Sequence, residues 1–348
     1  MRTRIRGHLV RPLARPLARP LARPLARPFA RPLVRLLAVF SAVAALLLAP
    51  GLTTPSSAQP AIDAARTEAA VEQAVEKAAE GMTPVATDPA ASKATAADVW
   101  NPPSNLVQPL NEVWNHVSST YPDLYGFRNY GWDQIMANRG SVNYCVRWES
   151  DTPVSAALRD QIHAALKKQF GKWMAAMLDN GQGHNAWPYT NVPVNIVGWA
   201  VKNRSTLQWT DNSVDIYTGI LDGAGAPQCS PDCGRFFHQD GNYSRCPGGA
   251  ARHYDQSLWL TEGFQGGAGG DWGQRMGRAY FTGALGQENI HIYLHEVGHT
   301  FGLDDFYDWT PTGQCCFLMK AGSAAQITEF DKWMFRDFWR HLKYRYGL

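Results

Sequence analysis

Two histidines four residues apart, with a glutamate directly after the first, are the residues of this chain best suited to chemistry: His295-Glu296-Val-Gly-His299. On a helix, side chains four apart lie on one face, so the two imidazoles can converge on a single cation. Glu296 is one position round, where its carboxylate reaches a reacting water rather than the metal, as a general base must. Gly302 falls where the helix has to stop, because glycine turns at positive φ without steric cost. The turn carries Asp305 back toward the histidines. Asp304 and Asp308 are rivals for that position, and both read better as solvated loop carboxylates. Three protein ligands and one open position are the coordination of a catalytic zinc, whereas a structural zinc is closed by a fourth side chain. The expected cofactor is one Zn2+ on His295, His299 and Asp305, with Glu296 as catalytic base. No residues assign a structural Ca2+ site, although such an ion is compatible with the chain.

His291 extends the histidine stripe by one turn. It is eight residues from His299, about 12 Å along a helix, so the two cannot share an ion. A first-turn or supporting role fits it better. His184, His238 and His253 fall in loops and are expected to be exposed.

These ligands need a scaffold, and the apolar pattern predicts one. A strand is expected at 142–148, then a helix at 154–178, where Leu158, Ile162, Leu166, Phe170 and Trp173 recur at helical spacing. Strands follow at 192–201 and 214–220, and a third at 257–261. The glycines of 263–273 are not followed by Gly-Lys-Ser/Thr, so a turn is the expectation rather than a phosphate loop. The zinc helix should span 288–301. A closing helix is expected at 328–344, with Phe330, Trp333, Met334, Phe338 and Leu342 as its core stripe. The plan is α/β or α+β: a mixed sheet around one dominant core.

The cysteines bear on the compartment. Cys145, Cys229, Cys233, Cys246, Cys315 and Cys316 are an even set, which in an exported chain favours three disulfides. They would pin the Gly- and Pro-containing loop 221–252, otherwise too long to stay ordered. A structural zinc on Cys229, Cys233 and Cys246 is the alternative. Adjacent Cys315 and Cys316 cannot easily bond each other without backbone strain, so each is expected to reach a distant partner.

Residues 1–58 read as a secretion signal: an Arg-rich start, an apolar core at 36–48, and small residues placed for cleavage after Ala58. A core of about 13 residues is short of the roughly 20 a spanning helix needs, so no membrane anchor is expected after cleavage. Six tandem tetrapeptides from Arg11 (RPLA four times, RPFA, RPLV) lengthen this segment, and no twin-arginine pair occurs in it. Ten of the 33 basic residues lie there and no acidic ones, which leaves 23 basic against 30 acidic residues, a net of −7. A nucleic-acid partner thereby loses its electrostatic support. Residues 59–98 carry no aromatic residue and cannot bury a core; they are a propeptide or linker, with at most an exposed helix near 62–80. A propeptide thiol capping the zinc is excluded, since the segment has no cysteine. The folded domain is expected over 99–348.

The segment HEVGHTFGLDD resembles the extended metzincin signature HExxHxxGxxH/D, in the form with Asp as third ligand found in snapalysin, the small neutral protease family. CCFLMKAG is similar to that family's Met-turn, with Cys315 and Leu318-Met319 at matching spacing, and the resemblance places Met319 beneath the zinc. It covers residues 295–322; the Trp-rich 99–140 and Cys-rich 221–252 segments have no counterpart in it. What it implies is a metzincin-like domain and a secreted, monomeric endopeptidase acting on protein or peptide. The peptide would lie antiparallel to an edge strand, for which 257–261 is the candidate. The reading from a different class is a non-proteolytic polysaccharide (cellulose)-associated protein on the same scaffold, with Trp187, Trp272 and Trp309 as an exposed subset of the 13 tryptophans able to stack on sugars.

Overall fold

The structure, a computed structural model, describes residues 100–348 and the backbone of a two-residue strand, Thr95–Ala96, which pairs with Gln182–Gly183. The secretion signal, the repeats and nearly all of the 59–98 segment lie outside the described residues.

Six strands form one sheet: β1 (Val142–Glu149), β2 (Val194–Val201), β3 (Asp215–Thr218), β4 (Gln256–Thr261), β5 (Gly267–Gly270) and β6 (Gly273–Gly277). Their order is β3-β2-β1-β4-β6-β5, parallel throughout except for β5, which runs antiparallel to β6 at one edge. Parallel neighbours require long crossovers. The first is α3 (Ala156–Ala176), started by Ser155, whose hydroxyl accepts from Leu158 N at 3.1 Å. Before β1 come α1 (Ser104–Thr120) and α2 (Gly131–Ala137); after β6 come α4 (Arg278–Gly283), α5 (His291–Thr300) and α6 (Glu329–Leu342). The fold is thus mixed α/β around a mostly parallel sheet. The strands and long helices predicted within the described residues all form, with ends shifted by a few residues.

Strand alternation divides the side chains between two faces. Val142, Tyr144, Val146 and Trp148 of β1 enter the main core with Leu258 and Leu260 of β4 and the buried sides of α3, α5 and α6. Cys145 turns the other way and joins Val197, Ala200, Cys229, Cys233, Tyr243, Cys246 and Tyr254 in a smaller cluster under the 221–252 loop. Two disulfides, Cys145–Cys229 and Cys233–Cys246, tie that loop down as expected. The expectation of three does not hold: Cys315 and Cys316 are both exposed and unpaired, with every other cysteine already committed. The paired sulfurs also rule out the three-cysteine zinc site.

Four further expectations are corrected. Strand 257–261 is not an edge; β4 is paired on both sides, because the chain after it returns as β5 and β6 and carries the edge outward. The glycine run is therefore not only a turn, since it contains β5. Trp187 is wholly buried against Trp132 and Trp339, and His184 and His253 are buried too.

Candidate metal centre

Helix α5 lies across the sheet on a buried polar network. Tyr144 Oη bonds Gln256 Oε1 at 2.6 Å and meets Tyr293 Oη of α5 at 3.1 Å, while Gln274 Nε2 donates to Thr300 Oγ1 at 2.8 Å. Every group in such a network restricts the others, so the helix has one register against the strands. Trp173 of α3 donates its indole N–H to Leu294 O at 2.9 Å, and Gln169 Oε1 accepts Ile290 N at the helix start.

His295 and His299 project from α5 with their Nε2 atoms 3.1 Å apart. The opposite nitrogen of each ring faces a backbone carbonyl at 2.8 Å: Leu318 O for His295, Leu303 O for His299. A carbonyl only accepts, so Nδ1 keeps a proton in either charge state: with the ring charged, Nε2 can donate to a carboxylate, and with the ring neutral it presents its lone pair inward. Asp305 closes the group, with Oδ1 3.0 Å from His295 Nε2 and Oδ2 3.5 Å from His299 Nε2. Gly302 makes this return possible, at φ +96 and with the Phe338 ring where a Cβ would stand. Burial raises the Asp305 carboxyl, but hydrogen bonds from both histidines outweigh it and hold the group well below its ordinary range. Burial likewise lowers His299, and the hydrogen bond and charge of Asp305 more than reverse this.

Glu296 stands beside the group, its Oε2 3.9 Å from His299 Nε2, and desolvation lifts its carboxyl above the usual value. His295, Glu296 and His299 form a cluster able to hold a cation among the described residues. Asp304 does not join it; its Oδ1 accepts from Tyr121 Oη at 3.0 Å and from Asp305 N. Asp308 is exposed, and His291 faces Tyr280 Oη at 3.0 Å instead of the metal group. Met319 is fully buried with its sulfur under Gly298, where a Cβ would come within 2.3 Å of Sδ.

Two contributors were missed by sequence reasoning. Asp331, on the first turn of α6, accepts from Leu318 N (2.8 Å) and Met319 N (3.1 Å) and so holds the segment whose carbonyl orients His295. Burial raises its carboxyl, against the donors it collects from Thr328, Leu318 and Met319. The Thr328-x-x-Asp331 capping box was the available signal for the helix start, though not for the reach to 318–319. The second is β5. A Cβ on Gly267 would stand 2.2 Å from Glu296 Oε1, and one on Gly269 would stand 2.4 Å from Glu296 O, so only glycine lets this strand lie on the helix.

The group opens into a cleft of about 520 Å³. One wall is β5 and Asp271; the other is the 121–130 segment with Tyr121, Leu124, Phe127 and Tyr130; Tyr307 stands at the rim, three-quarters exposed.

Comparison of the chain with models of known families and with curated proteins, and of its structure with solved structures, finds no match.

Proposed function

We propose that the chain is a secreted zinc-dependent endopeptidase of the metzincin type. The observation that carries this reading is the convergence of two Nε2 atoms and one carboxylate at 3.0–3.5 Å, beside a buried glutamate and open to a cleft. Two imidazoles fixed through Nδ1 and one carboxylate suit zinc in donor type, number and outer support. The two buried disulfides and, among the described residues, the lack of any helix long and apolar enough to cross a membrane support export.

When bound, zinc would supply Lewis acidity, lowering the pKa of water and polarising a carbonyl. His295, His299 and Asp305 would hold it; the chain's own proton chemistry falls to Glu296. Its carboxylate takes a proton from the attacking water and returns it to the leaving amine, and burial, which favours its protonated form, suits it to carry that proton between the steps. Met319 under Gly298 and Asp331 behind Leu318 keep the ligands from tilting. Strand β5 has one side paired to β6, and its residues line the cleft. Its other side, which pairs with no strand among the described residues, fits an extended peptide added as a further strand, bound by main chain because Gly267, Ala268, Gly269 and Gly270 offer almost no side chain.

The test is Glu296→Gln on the zinc-loaded protein. Metal content should stay near one per chain, while hydrolysis of an unfolded protein such as casein should fall about 10²- to 10⁴-fold, the usual worth of a general base. His295→Ala/His299→Ala should lose the metal. Stoichiometric zinc in that double variant would place the ion elsewhere. A zinc-loaded wild type that cleaves no protein yet sediments with insoluble cellulose would replace the peptidase reading with the binding one.

A further inference from the structure

Four of the six cysteines are buried and joined as Cys145–Cys229 and Cys233–Cys246. Cys315 and Cys316 are the remaining two, both exposed and adjacent in the chain. Neither belongs to a helix or strand, and the preceding Gly313 stands at φ +73 in an open turn. On the other side the chain becomes rigid at once. Phe317, Leu318 and Met319 are buried, Phe317 N is held by Ser323 Oγ at 3.1 Å, and Leu318 N is held by Asp331. The pair thus lies between an open turn, whose glycine leaves the backbone room to adjust, and an anchored segment.

We propose that Cys315 and Cys316 are a reversible redox pair that closes to a vicinal disulfide in an oxidising milieu. Elimination supports this: no other cysteine in the chain is free, so each thiol's nearest partner is its neighbour. Adjacent cysteines make a strained ring, and strain makes a disulfide easier to reduce without preventing its formation. The co-reactant is a low-molecular-weight disulfide. One cysteine thiolate attacks it, forming a mixed disulfide and releasing one small thiol; the other cysteine then attacks the protein sulfur and releases the second. Two protein S–H bonds and the reagent S–S bond break, while one protein S–S and two reagent S–H bonds form. The protein loses two electrons and the reagent gains them. Closure takes place one residue before Phe317 and two before Leu318, whose carbonyl seats His295, so the ring borders the segment behind the metal group. The pairing itself does not depend on the hydrolase reading.

The full chain, mildly reduced and then treated with excess glutathione disulfide, tests this by denaturing thiol titration and non-reducing peptide mapping. Two titratable thiols should fall to none, with a peptide containing both residues lighter by two hydrogens and free of glutathione. Phenylarsine oxide should bind the reduced protein and be excluded from the oxidised one. Cys315→Ser and Cys316→Ser should each leave one thiol that ends as a stable glutathione adduct and no longer retains the arsenical. Mild reductant should then return two thiols in the wild type while both buried disulfides persist. Thiols that survive the oxidant, glutathione adducts on the wild type, disulfide-linked copies, or linkage to any of the other four cysteines would each overturn the proposal.

Discussion

The two faces of the sheet are held by different chemistry. On the helix face, aromatic rings interlock: Trp132 meets Phe335 at 4.4 Å, Phe301 at 4.6 Å, Trp339 at 5.4 Å and Trp187 at 5.6 Å, all wholly buried. On the loop face there is little apolar volume, and cross-links replace it. Two disulfides sit in the small cluster, and beside them Trp259 lies between Arg147 and Arg275, each 3.8 Å from the ring centroid, on three strands in register. The metal ligands are mounted on the face whose order comes from burial. A long loop poor in apolar residues can still be ordered, provided that the unfolded chain is constrained covalently.

Substitutions on each face should separate these sources of order. Trp132→Ala should cost the most, about 3–5 kcal/mol by denaturant unfolding. Its indole N–H also donates to Phe301 O at the end of α5, so zinc affinity should fall with it. Unchanged zinc affinity in a destabilised variant would show that the core and the metal group are independent. Next, Cys145→Ala/Cys229→Ala opens an 84-residue separation and should cost about 2–4 kcal/mol, with zinc uptake retained below the lowered Tm. Loss of zinc in that variant would break the comparison. Trp259→Ala removes the aromatic partner of two guanidinium groups and should cost about 1–2 kcal/mol, read as a Tm shift with no change in metal content.

The smallest effect sharpens the helix face alone. Burial depresses His341, stacked on Trp114, to about 4, and burial raises its neighbour Asp337 to about 6. His341 takes its proton more readily when unfolded, so its contribution is complete above pH 6.5 and is lost as pH falls toward 4. Asp337 takes its proton more readily when folded, so its contribution is greatest in acid and is lost as pH rises through about 6. The two nearly cancel. Between pH 6.5 and 4, His341→Phe should therefore gain stability on acidification and Asp337→Asn should lose it, each by about 1–2 kcal/mol after solvent screening. Parallel slopes in the two variants would disprove the opposition.

Legibility from sequence followed the range of the interactions. The alternation of β1, the helical stripe of α3 and the 295–305 spacing are local patterns, and all reappear in the fold, with His295, His299 and Asp305 brought together. Sheet order is not local: 257–261 precedes the metal helix in sequence, yet β5 and β6 intervene in space. Strand β5 was hidden because Gly-Ala-Gly-Gly has no hydropathy pattern; its reason lies in Glu296, some thirty residues on. The reach of Asp331 and the absence of a partner for Cys315 and Cys316 among the other four cysteines depend on which groups are already engaged elsewhere, and no spacing records that.

The cleft's two walls differ in how freely they can be rewritten. Any side chain at Gly267 or Gly269 would push α5 from its seat, so that wall is closed to variation. Phe127 opposite stands on a segment between helices, outside the sheet, where only Tyr121 has to be kept, since its hydroxyl holds Asp304 beside the ligand Asp305. New selectivity is best engineered by exchanging that segment as a cassette, leaving the ligand-bearing helix and its glycine cover untouched.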